Sequence, residues 1–278
     1  MSYLMAILLG LVQGIAEFLP ISSSGHLTLL QHFFQMEEVD NLYNILLHFA
    51  TLIAVCVVYW KDIVEMVVEF FRALASLFTK RGSREAAPPP ARRLVMLVIV
   101  GTLPLLLVLP IMGAVEGLGN SPVFVSCALI VTGFLLFFSD RMAKGHKTER
   151  TAKVTDALLV GIAQGIATVP GLSRSGTTIS AGMALGFDRK FAVRYSFLLS
   201  LPAVLGATLL EVIQAVGEES VDMALLPKYL VGMVVAGVVG YFAIRLVKLL
   251  SDKGKFGKFS YYCWAVGLVS LIASLVTG

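Results

Sequence analysis

Charge is scarce in this sequence. Of 278 residues, 14% are charged and 57% are hydrophobic, a balance that excludes an ordinary water-soluble domain and fits a chain whose solvent is lipid. Acidic residues are missing from the first 36 positions apart from Glu17, and no Lys or Arg precedes Lys61. The N-terminus therefore lacks the basic n-region of a secretory signal peptide, and nothing suggests that it is removed. Cysteine is rare: Cys56, Cys127 and Cys263 all fall in apolar runs without metal-ligand spacing and read as small packing residues. Gly-x-Ser-x-Gly is absent and no strand is expected, which argues against a serine-hydrolase elbow and acyl transfer. The net charge of +4 does not describe a nucleic-acid surface, because the basic residues sit in short loops between apolar runs.

What is present is a series of charge-poor runs near the roughly 20 residues that a helix needs to cross the bilayer. Six spans are expected, at 42–60, 94–115, 121–139, 191–211, 228–248 and 259–277. Lys and Arg number seven in 61–93, five in 141–153, three in 189–194 and five in 245–258, so these loops are expected in the cytoplasm. Residues 1–60, 116–120 and 211–227 contain neither, which places both termini outside. The stretch 79–93, with three consecutive prolines at Pro88, Pro89 and Pro90, reads as a mobile cytoplasmic linker.

The sequence also repeats itself. Gly10 to His26 reads GLVQGIAEFLPISSSGH, and Gly161 to Thr177 reads GIAQGIATVPGLSRSGT; Gln13, Ser22, Ser24 and Gly25 meet Gln164, Ser173, Ser175 and Gly176 without a gap. After each copy, YNILLHFATLIA from Tyr43 resembles YSFLLSLPAVLG from Tyr195. The first repeat is drawn as 1–140, with a hairpin at 3–36, and the second as 154–278, with a hairpin at 154–187. In each hairpin an arm of 11 residues, too short to cross, follows a Pro, Gly and Ser cluster that breaks the helix. Lipid tolerates broken backbone only where protein or water surrounds it, so a re-entrant hairpin is expected, against the alternative of one ordinary span ending in a surface loop. Three spans separate the two motifs, so the second enters from the opposite side. The fold class expected is an all-α polytopic membrane protein, with six transmembrane helices and two re-entrant helix-loop-helix hairpins in an inverted repeat. Such repeats bring their polar turns together near the midplane, where helix N-termini favour an anion.

Four side chains stand out for chemistry. Glu17 is an ionisable group in an apolar arm, and Gln13, four residues earlier, shares its helical face and can bond it or share its ligand. Arg174 takes the position of Ser23 in the other copy, and its planar fork with the hydroxyls of Ser173 and Ser175 suits phosphate oxygens. A structural Glu17–Arg174 ion pair is the alternative. His26 follows Ser22, Ser23 and Ser24 and suits general acid or base work, whereas His32, His48 and His146 lack such company and read as structural or surface residues. Hydroxyls, a guanidinium and helix N-termini together match what phosphoryl transfer requires.

The two motifs, Gln13-Gly-Ile-Ala-Glu17-Phe-Leu-Pro-Ile-Ser-Ser-Ser-Gly-His26 and Pro170-Gly-Leu-Ser-Arg174-Ser-Gly-Thr-Thr178, closely resemble those of the undecaprenyl-diphosphate phosphatase family of bacterial inner membranes, also called bacitracin-resistance proteins. The resemblance implies hydrolysis of undecaprenyl diphosphate to undecaprenyl phosphate and phosphate, recycling a cell-wall lipid carrier. It implies catalytic roles for Glu17 and His26, a nucleophile at Ser23 and a phosphate clamp at Arg174; phosphate contacts are expected beside them from Gln13, Ser22, Ser24, Ser173, Ser175 and Thr178. It further implies a divalent cation, Mg²⁺ or Ca²⁺, with Glu17 as a ligand. Members carry Glu or Gln where this chain has Gln13, so two carboxylates are not available here. Attack by a Glu17-activated water stays open beside attack by Ser23. A prenyl-phosphate transporter or flippase is the rival from another class, and a homo-oligomer is compatible with everything above.

Overall fold

The computed structural model describes residues 1–36, 39, 41–78, 88–142, 144–217, 224–252, 254 and 256–277. Residues 79–87 of the expected linker and 218–223 of the expected outer loop lie outside the described residues. The chain is all-helical, and the one β contact among the described residues is an isolated bridge between Lys147 and Phe187.

Each polar turn separates two short helices. α1 (Tyr3–Ala16) starts on Ser2, whose hydroxyl accepts from the Met5 N–H, and α2 (Ser23–Phe33) starts on Ser22, whose hydroxyl accepts from the Gly25 N–H. α3 (Asn41–Val58) and α4 (Trp60–Phe78) follow, bent by 85° at Tyr59. α5 (Pro90–Thr102) begins with proline at its first position, where no N–H is needed. Pro104 and Pro110 then withhold donors, so the chain continues as the 3₁₀ turns Leu103–Leu107 and Leu109–Ile111 before α6 (Met112–Gly117). α7 (Pro122–Ser139) completes the first half. The second half is α8 (Val154–Ile166), α9 (Arg174–Ala184), α10 (Arg189–Gly217), α11 (Leu226–Asp252) and α12 (Phe259–Thr277).

Among the described residues, five stretches are long and apolar enough to cross a membrane: Pro90–Asn120, Pro122–Ser139, Arg189–Leu210, Leu226–Ser251 and Phe256–Val276. A sixth arises only if the bent pair α3 and α4 counts as one span. Residues 61–78, expected to be loop, are thus helical. Charges at Asp62, Glu65, Glu69 and Arg72 interrupt the hydropathy there. An exposed stripe of Trp60, Val64, Val67, Val68, Phe71 and Leu74 nevertheless runs along one helical face.

Lipid gives helices no hydrophobic reason to associate, so close packing through small residues must do it. The contacts are reciprocal. α1 packs on α11 and α8 packs on α5. A side chain at Gly10 would strike the Gly232 carbonyl oxygen, and one at Gly161 would strike that of Gly101. Tyr43 donates from its hydroxyl to Ala6 O at 2.7 Å beside Gly232, and Tyr195 donates to Leu97 O at 2.7 Å beside Gly101. The two halves are interleaved through matching residues, and the turns between their short helices are carried into the interior.

Candidate phosphate site

The two serine-rich turns touch. A Cβ at Gly25 would lie 3.1 Å from the Gly171 Cα, and one at Gly176 would lie 3.3 Å from the Pro20 Cβ. Ser22 holds a left-handed backbone (φ 70°), unusual for a residue with a side chain, and so sets the direction in which α2 leaves the turn. Its equivalent, Ser173, makes the same cap, its hydroxyl accepting from the Gly176 N–H at 3.1 Å, but holds an extended backbone whose N–H donates to Thr132 Oγ1 at 3.1 Å.

Glu17 is the centre of the junction, with a side chain 8% exposed. Arg174 Nη2 donates to its Oε1 in a direct ion pair between the halves. Its Oε2 accepts from the Ser23 hydroxyl at 2.6 Å and from Gln13 Nε2 at 3.0 Å. A carboxylate saturated in this way is held in one position, and the hydroxyl facing it is oriented for loss of its proton.

His48 is the residue that local sequence could not reveal. Its Nδ1 donates to the Asn44 carbonyl at 2.8 Å, which leaves Nε2 facing Glu17 Oε2 at 3.5 Å. It stands 31 residues away in the chain, within the repeated segment YNILLHFATLIA, where the second copy has Ser200. His26 sits elsewhere. Its Nδ1 donates to Ser22 O at 2.7 Å, its Nε2 lies 2.9 Å from the Tyr262 hydroxyl, and its ring stacks on that of Tyr262. The Ser22 carbonyl only accepts, so Nδ1 carries a proton and the neutral ring takes its second hydrogen bond from Tyr262.

A cavity of about 730 Å³ opens beside this cluster. Glu17, Ser22, Ser23, Ser24, His48, Gln164, Ser173 and Arg174 give it a polar floor, while Leu105, Leu106, Val108, Leu109 and Met112, with Pro202, Ala203, Val204 and Leu210 of α10, give it an apolar wall. Ser175 lies across the Glu17–Arg174 pair, in a small pocket with Ser196 and Ser200. Thr178 bonds Ser196 Oγ at 2.6 Å and the Arg174 carbonyl at 2.8 Å, so it ties α9 to α10 and is not among the cavity residues.

A protein-held divalent cation does not fit this donor set. Among the described residues no group of three His, Cys, Asp or Glu side chains converges, and both oxygens of Glu17 already face donors.

The fold and site define a class: a multi-pass helical membrane protein that encloses a charge-paired, hydroxyl-lined cavity beside an apolar trough. The chain belongs to the family described as bacitracin resistance protein BacA, which it matches over residues 6–269. It is similar to proteins named undecaprenyl-diphosphatase. That of Methanosphaera stadtmanae is 38% identical over 276 residues, 98% of each chain, and that of Halothermothrix orenii is 38% identical over 271 residues, 96% of each. The protein of that name from Desulforapulum autotrophicum is 38% identical over 276 residues, covering 97% of this chain and 98% of the relative.

Proposed function

We propose that this protein hydrolyses undecaprenyl diphosphate to undecaprenyl phosphate and phosphate in the cytoplasmic membrane of a bacterial-type cell. The carrying observation is that Ser23 and Arg174, from opposite halves, meet on one buried carboxylate at the floor of a cavity whose wall is apolar. The relatives' shared name supports the phosphatase over a transporter. The deciding experiment is phosphate release from a prenyl diphosphate by the purified protein in detergent. Turnover supports the proposal, and substrate binding without any release of phosphate would sink it.

The helix pairs α1–α2 and α8–α9 are read as re-entrant hairpins of an inverted repeat. At 14 residues α1 reaches about 21 Å, short of the ~30 Å core, and the reciprocal packing of the two halves favours the same reading. The lysine- and arginine-rich loops support a reading with both termini outside, and Glu116, a cavity-lining residue next to a loop expected outside, supports an outward-facing cavity.

In the proposed reaction the prenyl chain lies along the apolar wall and the terminal phosphate meets Arg174, Ser173 and the N-terminus of α9. Ser23 Oγ attacks the terminal phosphorus in line as Glu17 takes its proton, and the prenyl monophosphate leaves. Water then cleaves the phosphoserine, and the serine regains a proton. Ser23→Ala is expected to lower turnover about 10²- to 10⁴-fold, and a denaturing quench of the wild type should trap phosphate on Ser23. Full activity in Ser23→Ala would instead favour direct attack by water.

His48 is proposed to relay the proton between Glu17 and water through the Nε2 that faces the carboxylate. His48→Ala should cost roughly 10²-fold in kcat with little change in KM, and a KM effect alone would contradict the relay. His26 is assigned a positioning role, since its bonds to Ser22 and Tyr262 hold the start of α2.

The divalent cation that the family resemblance implies would take its ligands from the substrate's own phosphates, because both oxygens of Glu17 already face donors. Calorimetry with Mg²⁺ alone is expected to give no heat of tight binding. A strong Mg²⁺ site without substrate would refute this.

A further inference from the structure

The repeat leaves one buried side chain without a job. Gln13 and Gln164 are equivalent, both are buried and both stand one helical turn before the break. Gln13 donates from Nε2 to Glu17 Oε2 at 3.0 Å. In the second half the position of Glu17 is held by Thr168, whose hydroxyl turns back to donate to Gly165 O at 2.7 Å. Gln164 is therefore left with no acid to bind. It is 1% exposed, and among the described residues neither its amide nitrogen nor its amide oxygen has a hydrogen-bond partner. A buried amide with both ends open is strongly unfavourable unless a ligand completes it. This one lines the 730 Å³ cavity, in its polar floor.

We propose that Gln164 binds the lipid-side phosphate of the substrate, with a phosphate oxygen taking the place at Gln164 that the Glu17 carboxylate holds at Gln13. The amide N–H₂ donates to that oxygen, and the amide oxygen accepts from a P–OH or from water carried by the headgroup. Its neighbours indicate which phosphate it meets. A Cβ on the adjacent Gly165 would lie 3.4 Å from Val108 Cγ2, so this part of α8 backs onto the apolar wall of Leu105, Leu106, Val108 and Leu109. A prenyl chain on that wall brings its own phosphate to Gln164, while the terminal phosphate extends to Ser23 and Arg174. Gln164 thus selects diphosphate esters by gripping the phosphate that is not released.

This inference rests on the phosphatase reading and is tested on the full-length protein in detergent with Gln164→Leu, which keeps the side-chain volume and removes both polar atoms. KM for prenyl diphosphate is expected to rise about ten- to a hundredfold with kcat within about threefold. Product inhibition by prenyl monophosphate should weaken by a similar factor, and inhibition by inorganic phosphate, which sits at Ser23 and Arg174, should not change. Gln164→Glu, which opposes the phosphate with a like charge, should raise KM further, and it provides the measurement if Gln164→Leu does not fold. Unchanged KM and monophosphate inhibition would overturn the assignment, as would equal weakening by both inhibitors. If the wild type released no phosphate the phosphatase reading itself would fall. Calorimetric binding of prenyl monophosphate, weakened in Gln164→Leu or not, would still decide this inference separately.

Discussion

Glu17→Gln is expected to lower phosphate release by about 10²- to 10⁴-fold, the range for losing a positioned general base. The substitution keeps shape and volume, and the new amide can still accept from Ser23 through its oxygen, although its N–H₂ then faces Arg174 and the ion pair is lost. What it cannot do is take the proton from the hydroxyl that now lies 2.6 Å away. Arg174→Ala is expected to cost at least as much. It removes the cation that neutralises the phosphate and leaves a buried carboxylate unpaired. Arg174→Lys should recover little, because a point charge cannot reproduce the planar fork that spans Glu17 and a phosphate oxygen. The double variant Glu17→Gln with Arg174→Ala should be scarcely slower than the worse single one, since the two groups act as a unit. Turnover assays with melting curves for each variant separate lost chemistry from lost folding. A Glu17→Gln protein that keeps more than a tenth of wild-type turnover would remove Glu17 from its proposed role.

The largest expected effect on stability lies far from the chemistry. Gly232→Ala places a methyl group against the hydroxyl of Tyr43, which is fully buried and donates to Ala6 O. Either the ring moves and the hydroxyl loses its acceptor, or α1 separates from α11. Overpacking and an unsatisfied buried hydroxyl together amount to roughly 2–5 kcal/mol, which a thermal melt in detergent should register as a fall of several degrees. Adding Tyr43→Phe removes the atom that collides and should recover part of the loss. Gly101→Ala with Tyr195→Phe should behave alike, because a Cβ at Gly101 meets the Tyr195 hydroxyl in the same way, although that hydroxyl donates to Leu97 O on the helix that carries Gly101. Melting unchanged by Gly232→Ala would mean that this interface does not hold the halves together.

Much of the site is legible in the sequence because duplication doubles the signal. Gln13, Ser22 and Ser24 match Gln164, Ser173 and Ser175, and the only charged residues within the two polar segments, Glu17 and Arg174, are the two that pair in space. Other features depend on geometry that spacing does not encode. His48 reaches Glu17 from α3 only because of how that helix packs, and the sequence around it is ordinary and apolar. His26 follows Ser23 by less than a turn, yet capture of its Nδ1 by the Ser22 carbonyl turns the ring toward Tyr262, 236 residues away. α4 is hidden because its charges lower the average hydropathy that a span search reads, although its apolar stripe keeps helical spacing. Pro104 and Pro110 lie within the expected span 94–115, and the change from α-helix to 3₁₀ turns there shapes the apolar wall of the cavity.

The central claim is that a phosphoryl group reacts where the two halves meet. The most direct measurement is an experimental structure of the protein with orthovanadate, which mimics the phosphoryl group in flight. The account predicts vanadate within bonding distance of Ser23 Oγ, with Arg174 and the α9 N-terminus on its equatorial oxygens and Glu17 beside the serine. Vanadate bound away from both Ser23 and Arg174, in a protein whose turnover it inhibits, would contradict it.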